Sequence, residues 1–233
     1  HRNRDWCETE ERWIGWERKR GKLEELNSLL NGGEHPDFLR IGSIPEGIRY
    51  VITLDADTQL PHDTALKLIE TIAHPLNRVE LKPDKRNRAR GYTIIQPRVS
   101  ITLPSATATR FTRLFTDARG TDPYSQAVSD VYQDLFGEAI YHGKAIYDVR
   151  AFRDILNGRF PEQRLLSHDL IEGSYVGVGL ATDIELFEQF PNDYTSYGKR
   201  QHRWIRGDWQ IASWIFGCVP AAARGKYEPN PLS

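Results

Sequence analysis

The sequence predicts an α/β domain, because strand patterns and helix patterns alternate along its 233 residues. An apolar run rich in β-branched residues at 50–54 is typical of a strand that is buried on both faces. An amphipathic pattern at 62–74 predicts a helix directly after that strand, and a longer one at 199–217 predicts a terminal helix. We therefore expect one unit that spans residues 1–233, although two smaller units would also fit a chain of this length.

Two helices and two strands are expected in the first half of the chain. Leucines recur at helical spacing in 19–31, and the pair of glycines that follows ends that helix. Pro61 favours a helix start, and apolar residues at helical spacing give the helix at 62–74 an inner face. The segment 91–98 is apolar and β-branched at its centre, which predicts a second strand that runs into a loop.

The second half continues the alternation of helices and strands. Helices are expected at 105–117, 124–136 and 149–156, and strands or turns around Gly143-Lys144 and at 173–182. Gly158 ends the third of these helices. The terminal helix at 199–217 has three arginines in its first half and an apolar stripe after them.

The composition excludes several classes of protein. The chain has 31 Lys and Arg against 32 Asp and Glu, and this formal net charge of −1 argues against a nucleic-acid binder. No apolar run reaches the roughly 18–20 residues that a membrane-spanning helix needs. Cys7 and Cys218 are too few for a disulfide scaffold, so we expect free thiols in a reducing compartment. The chain begins at His1 and contains no Met, from which we expect a piece of a longer protein.

Two carboxylates follow the predicted strand at 50–54. Asp55 and Asp57 are separated by one residue, and open α/β sheets place their ligand sites at the carboxyl ends of such strands. This pair can hold a hard divalent cation, which prefers oxygen ligands and completes its shell with water and phosphate. The alternative is that one of the two aspartates caps the following helix.

A second polar group, Ser167-His168-Asp169, lies inside an apolar segment. Asp169 has the chemistry of a general base, because an ionised carboxylate can accept a proton from a hydroxyl group. The alternatives are that it caps a helix or is a paired acid of the core.

Basic and aromatic residues are combined at two further places. In the terminal helix, Arg203 and Arg206 suit phosphate oxygens, while Trp204 and Trp209 offer flat faces that suit sugar rings. Alternatively, this is an amphipathic helix whose tryptophans pack in the protein or lie on a membrane surface. Lys19, near the start of the first helix, could place a cation on a phosphate, but alone it is only a charged helix start.

Taken together and in this order, these elements resemble the processive membrane glycosyltransferases of the GT-A type. Their pattern is a donor-side K-x-G, a D-x-D, a later catalytic Asp and a terminal Q-x-x-R-W. Longer stretches look like the glycosyltransferase domain of cyclic β-1,2-glucan synthases, among them WERKRGKLEELNSLL, YVITLDADTQLP, GKAIYDV, RFPEQRLLSHDLIEG and RQHRWIRGDWQ. The resemblance covers nearly the whole chain. One departure is that the terminal motif reads Gln-His-Arg-Trp, one residue shorter than Q-x-x-R-W, so the match at Gln201 is partial.

The resemblance implies a GT-A-like mixed sheet flanked by helices, with the strands that grip uridine preceding residue 1 and absent here. It also implies an inverting, metal-dependent transfer of glucose from UDP-glucose to a growing β-1,2-glucan chain. The implied roles are a metal site for Mg²⁺ or Mn²⁺ at Asp55 and Asp57, donor contacts from Lys19, Asp55 and Arg203, a catalytic base at Asp169, and acceptor contacts from Gln201 and Trp204.

The resemblance further implies a membrane-embedded parent protein whose transmembrane segments lie outside this chain. Its place would be the cytoplasmic face of the bacterial inner membrane. In the terminal helix we expect a catalytic role for 201–204 and an interfacial role for 205–217, because polar residues dominate the first part and apolar residues the second.

Two other functions compete with this interpretation. A strand followed by D-x-D also occurs in phosphatases of the haloacid-dehalogenase type. The pattern of those phosphatases requires Thr or Val two residues after the second Asp, whereas this chain has Gln59 at that position and Thr58 one residue earlier. The second competitor is a non-enzymatic module that binds glycans or membranes through the Trp- and Arg-containing helix.

Overall fold

The fold of this computed structural model is mixed α/β, with a mixed sheet between helices, which confirms the predicted fold class. The structure describes residues 2–8, 11–33, 45–84, 87–116, 131–162, 164–223 and 225–232. The strands are β1 (Asp5–Cys7), β2 (Arg12–Ile14), β3 (Tyr50–Ile52), β4 (Glu80–Leu81), β5 (Arg88–Arg90), β6 (Ile94–Ile101), β7 (Ile146–Asp148), β8 (Val178–Glu188), β9 (Cys218–Pro220) and β10 (Tyr227–Pro229). The helices are α1 (Arg18–Leu30), α2 (Thr64–Ala73), α3 (Leu103–Thr107), α4 (Arg110–Phe115), α5 (Val131–Phe136), α6 (Val149–Leu156), α7 (His168–Val176) and α8 (Tyr194–Ile211), followed by a 3₁₀ turn (Ala212–Ile215).

The central sheet has four strands in the order β3-β7-β6-β8. β7 pairs antiparallel with both β3 and β6, and β8 pairs parallel with β6, so the sheet is mixed. The register between β6 and β8 shifts between Pro97 and Arg98. A proline is tolerated at such an irregularity because it lacks the N–H that a regular ladder requires. The pairs β1-β2, β4-β5 and β9-β10 form small antiparallel ribbons outside this sheet.

Successive residues of the central strands pack on opposite faces of the sheet, because side chains alternate along a strand. Ile94 belongs to a core with Phe152 of α6 and Val176 of α7. Its neighbour Ile95 belongs to a core with Leu68 and Ile72 of α2. Helices therefore cover both faces of the sheet.

The strand predicted at 50–54 is shorter and less buried than expected. It ends at Ile52, and Tyr50, Val51 and Ile52 are each half-buried. Val51 packs against one core, and Tyr50 and Ile52 pack against the other, so both faces are covered as predicted. Burial is incomplete because β3 has a strand neighbour on one side only, among the strands that the structure describes.

The predicted helix bounds are close to the observed ones in three cases. These are the helices predicted at 19–31, 62–74 and 149–156, which correspond to α1, α2 and α6. The helix predicted at 105–117 is instead two helices, α3 and α4. The break occurs at Thr109, whose hydroxyl accepts a hydrogen bond from the backbone N–H of Thr112 and so starts a new helix.

Two predicted elements near the end of the chain differ from the structure. The strand predicted at 173–182 is wrong in its first part, because residues up to Val176 belong to α7. Gly177 follows at φ +78°, a conformation that favours glycine and ends the helix, and β8 then runs to Glu188. The terminal helix begins earlier than predicted, at Tyr194, because Asp193 caps it by accepting a hydrogen bond from the Ser196 N–H.

Two further expectations have partial outcomes. Residues 124–130 of the helix predicted at 124–136 lie outside the described residues, and the rest contains α5. Cys7 is buried and Cys218 is exposed, and neither forms a disulfide bond within the described residues. Within the ranges that the structure describes, none of the helices combines the length and the hydropathy needed to cross a membrane.

Gly207 is the point at which α8 packs against the segment that precedes α7. A Cβ atom at this position would lie 2.0 Å from Ser167 Oγ and 2.9 Å from Ser167 Cβ. Gly207→Ala is therefore expected to lower the free energy of unfolding by about 1–3 kcal/mol, as measured by denaturant titration. Gly198→Ala in the same helix is the matched control, because nothing lies within 4 Å of the added Cβ there. That variant is expected to be neutral or more stable, and an equal loss at both positions would contradict the packing role of Gly207.

Candidate active site

A cleft of about 500 Å³ opens at the edge of the central sheet where β3, β6 and β8 end and β7 begins. This is the edge at which α/β sheets place their ligand sites. The starts of α1 and α7 and the middle of α8 form its other walls. Its polar lining includes Lys19, Asp55, Asp57, His142, Lys144, Ser167, His168, Asp169, Glu188, Arg200, Arg203 and Trp204.

The structure brings nearly all the predicted site residues together in this cleft. Six of the predicted residues line it, namely Lys19, Asp55, Asp57, Asp169, Arg203 and Trp204. Gln201 is not among the residues that line it. This side chain is half-buried on α8, and its Nε2 has no hydrogen-bond partner among the described residues. The acceptor role of Gln201 thus stays a prediction that the geometry of the cleft does not favour.

The two aspartates of the D-x-D motif lie on a turn between β3 and α2. The turn is closed by hydrogen bonds from the Thr58 N–H to the Asp55 carbonyl at 3.1 Å and from the Asp55 N–H to Thr58 Oγ1 at 3.2 Å. The residue at the N-cap of α2 is Asp63, so neither Asp55 nor Asp57 caps that helix. The capping alternative is therefore wrong. Asp57 is exposed at the cleft.

Asp55 is held between two lysines. Lys19 Nζ lies 2.5 Å from its Oδ1, and Lys144 Nζ lies 3.2 Å from its Oδ2. Lys144 Nζ also lies 2.6 Å from Glu188 Oε1. Burial alone would raise the pKa of Asp55, but the nearby Lys144 and Lys19 ammonium groups outweigh it and hold that pKa below its ordinary value. Asp55 is therefore ionised at neutral pH.

Lys144 is a largely buried cation. Its side chain is 13% exposed. Burial alone would lower its pKa, but the carboxylates of Glu188 and Asp55 more than offset this and raise it. The cleft thus contains a compact cluster of two ammonium and two carboxylate groups, formed by Lys19, Asp55, Lys144 and Glu188.

Asp169 lies in the first turn of α7, and Ser167 occupies the N-cap position of that helix. The alternative that Asp169 is the helix cap is therefore wrong. Burial raises the pKa of Asp169, and the nearby Glu172 carboxylate adds to this, while His168 opposes it. A carboxyl group with a raised pKa is a stronger base once it is ionised.

A buried ion pair lies beside this base on α7. His168 Nδ1 is 2.9 Å from Glu172 Oε2, and both residues are buried. Burial alone would lower the pKa of His168, but Glu172 outweighs it and raises that pKa. One helical turn therefore places both His168 and Asp169 at the cleft, with Glu172 hydrogen-bonded to the His168 imidazole.

Gly143 brings the donor-side lysine and the base close together. Its carbonyl oxygen accepts a hydrogen bond from Lys19 Nζ at 2.9 Å. A Cβ atom built at Gly143 would lie 3.1 Å from Lys19 Nζ and 3.4 Å from Asp169 Oδ2. The two predicted functional side chains therefore flank the same glycine.

Helix α8 contributes cations and an aromatic ring to the cleft. The Arg200 guanidinium lies 4.8 Å from the centroid of the Trp204 ring and 5.1 Å from that of Phe190. It covers one face of Trp204, which leaves at most the opposite face for a sugar. Arg203 is exposed and also lines the cleft.

Sequence reasoning missed Lys144 and Glu188 as members of the site. Glu188 is the last residue of β8, so the rule that identified Asp55 also applies to it. The signal was lost because the strand was predicted to stop at residue 182. Lys144 had no such signal, because its place depends on how β7 pairs with its neighbours.

No protein-family model matches the chain. The chain is 50% identical over 218 residues to Cyclic beta-(1,2)-glucan synthase NdvB of Rhizobium meliloti (strain 1021), a match that covers 93% of the chain. The chain spans about 8% of the length of that relative. It is therefore related, over nearly its whole length, to a segment of a cyclic β-(1,2)-glucan synthase, as the motifs of the sequence indicate.

Proposed function

We propose that the cleft transfers glucose from UDP-glucose to a growing β-1,2-glucan, with inversion at the anomeric carbon. The observation that carries the proposal is the convergence of residues from distant segments on one cleft of about 500 Å³. These residues are Lys19, Asp55, Asp57, Asp169, Arg203 and Trp204. A cleft of this size suits a nucleotide sugar. The relative is named as a cyclic β-(1,2)-glucan synthase, which supports the same class of reaction.

Mg²⁺ or Mn²⁺ fits the acidic residues at the end of β3. Asp57 is exposed, and Asp55 lies in the same cleft with its oxygens facing two lysines. Among the described residues, no group of three or more His, Cys, Asp or Glu side chains forms a metal cage. Mg²⁺ is usually held by one or two carboxylates together with substrate phosphates. Asp57 would be the more direct ligand and Asp55 the second, and the bound metal would supply charge that stabilises the leaving diphosphate.

Asp169 acts as the base in this proposal. The acceptor hydroxyl attacks the anomeric carbon while the bond from that carbon to the diphosphate oxygen breaks. Asp169 takes the hydroxyl proton, and UDP leaves with the bonding electron pair. A single displacement of this kind inverts the anomeric centre and needs one base, without a second carboxylate as nucleophile.

The proposal includes the setting that the resemblance implies. The parent protein would be embedded in a membrane, with this cleft on the cytoplasmic face of the bacterial inner membrane. The apolar residues in the second part of the terminal segment support an interfacial position, because Ile205, Trp209, Ile215 and Phe216 are all exposed.

The test of the proposed function is glucose transfer by the protein purified with its complete natural sequence. We expect label from UDP-glucose to enter a β-1,2-linked glucan. A parallel screen on phosphate monoesters separates a phosphatase of the haloacid-dehalogenase type from a transferase. Hydrolysis of those esters without glucan formation would overturn the proposal.

Trp204 and Arg203 are expected to affect different substrates. Trp204→Ala should raise KM for the acceptor several-fold at saturating UDP-glucose, because the ring offers one face to a sugar. Arg203→Ala should weaken UDP binding, because it removes a guanidinium that suits phosphate oxygens. Trp209→Ala is the matched control: Trp209 is 77% exposed, so its loss should reduce liposome binding and leave the acceptor kinetics unchanged. An unchanged acceptor KM in Trp204→Ala rules out the stacking role.

A further inference from the structure

We propose that Lys144 is a second cationic ligand for the diphosphate of the donor, in addition to Lys19, and that Glu188 is its positioning residue. The inference deepens the proposed function and rests on it. No motif of the sequence assigns Lys144 a role, but its contacts place it in the cleft.

The first observation is the way in which two lysines share one carboxylate. Lys19 Nζ contacts Asp55 Oδ1 at 2.5 Å, and Lys144 Nζ contacts Oδ2 of the same group at 3.2 Å. The two ammonium groups come from α1 and from the segment before β7, which are far apart in the sequence. Both side chains line the cleft. They therefore converge from two directions on the place where the donor phosphates would lie.

The second observation is that the backbone of Lys144 is fixed to the central sheet. Gln96 on β6 is fully buried, and its Nε2 donates to the Lys144 carbonyl at 2.9 Å. Its Oε1 accepts a hydrogen bond from the His142 N–H at 3.0 Å. One buried amide thus holds both ends of the 142–144 segment, which gives Lys144 the rigid support that a binding residue needs.

The third observation is the position of Glu188. It ends β8, the strand parallel to β6, and its Oε1 lies 2.6 Å from Lys144 Nζ. Lys144 would keep this partner if Asp55 bound a metal ion, so its buried charge would be neutralised with and without the metal. Metal binding at Asp55 would, however, withdraw the carboxylate that Lys144 and Lys19 share. The diphosphate is the anion of the proposed reaction that can take that place on both lysines.

The test is the affinity for UDP of the protein with its complete natural sequence, measured by isothermal titration in EDTA and again with Mn²⁺. Lys144→Met should weaken UDP binding by about tenfold or more with Mn²⁺, which is the effect of one lost hydrogen bond between charged groups, and by less in EDTA, where Asp55 still contacts both lysines. Lys144→Arg should keep most of the affinity. Lys67→Met is the matched control, because Lys67 is exposed on α2 and does not line the cleft. Uridine, which has no phosphate, should bind all these variants equally.

Glu188→Gln provides an independent arm in case Lys144→Met does not fold. This change removes the charge that holds the Lys144 ammonium in place, so UDP affinity should fall, although by less than in Lys144→Met because the amide oxygen can still accept a hydrogen bond from the ammonium. If Lys144 and Glu188 are only a structural pair, Glu188→Gln would lower Tm and leave UDP affinity unchanged, which would overturn the inference. Wild-type affinity in folded Lys144→Met would also overturn it. A wild-type protein without any affinity for UDP would overturn the proposed function itself.

Discussion

Asp169→Asn is expected to lower the rate of glucose transfer by ~10²–10⁴-fold and to leave UDP binding intact. The amide keeps the shape of the carboxyl group but cannot accept the proton of the acceptor hydroxyl. Asp183→Asn is the matched control, because Asp183 is exposed on β8 and does not line the cleft. A rate that is unchanged in Asp169→Asn, together with a loss of thermal stability, would make Asp169 a structural residue instead.

The raised pKa of Asp169 gives this prediction a pH dependence with a definite sign. The base must be ionised, so the transfer rate should fall as the pH falls through that pKa, which lies above the ordinary value of 3.8. For stability, a carboxyl group with a raised pKa favours the folded state below its unfolded-state pKa and loses that contribution as the pH rises through the folded-state value. Above its folded-state pKa the charged Asp169 therefore costs stability, and in that pH range Asp169→Asn should be at least as stable as the wild type.

Asp57→Ala is expected to abolish transfer and to remove the effect of metal on UDP binding, because alanine supplies no oxygen ligand. The protein should stay folded. Asp57 is exposed, and its side chain makes no hydrogen bond or ion pair with the described residues. The free energy of unfolding should therefore change by about 0.5 kcal/mol or less. Glu70→Ala, at an exposed position on α2, is the control for loss of one acidic side chain. Near wild-type polymer synthesis by folded Asp57→Ala would refute the metal assignment.

The elements that could be predicted from the sequence are those specified by local patterns. The helices α1, α2 and α6 follow from apolar spacing and from the residues that end them. The carboxylates Asp55 and Asp57 could be predicted for the same reason, because their motif directly follows a short β-branched run. The strand predicted at 173–182 was wrong where Tyr175 and Val176 mimic a strand pattern but pack in α7.

The remaining parts of the site depend on pairing between distant segments. Gln96 contacts the Lys144 carbonyl across a separation of 48 residues, and Thr53 pairs with Ala145 across 92. No local pattern encodes such contacts, because they follow from the strand order of the sheet. Residues whose place in the cleft depends on those contacts, such as Lys144, can therefore be identified only from the folded structure.

The proposed function requires the cleft to bind a nucleoside diphosphate together with a divalent metal at Asp57. Isothermal titration of UDP into the protein with its complete natural sequence, with and without Mn²⁺, tests this requirement. We expect Mn²⁺ to tighten UDP binding to the wild type and to have no such effect on Asp57→Ala. An affinity that is independent of Mn²⁺ in the wild type, or the absence of UDP binding in both conditions, would contradict it.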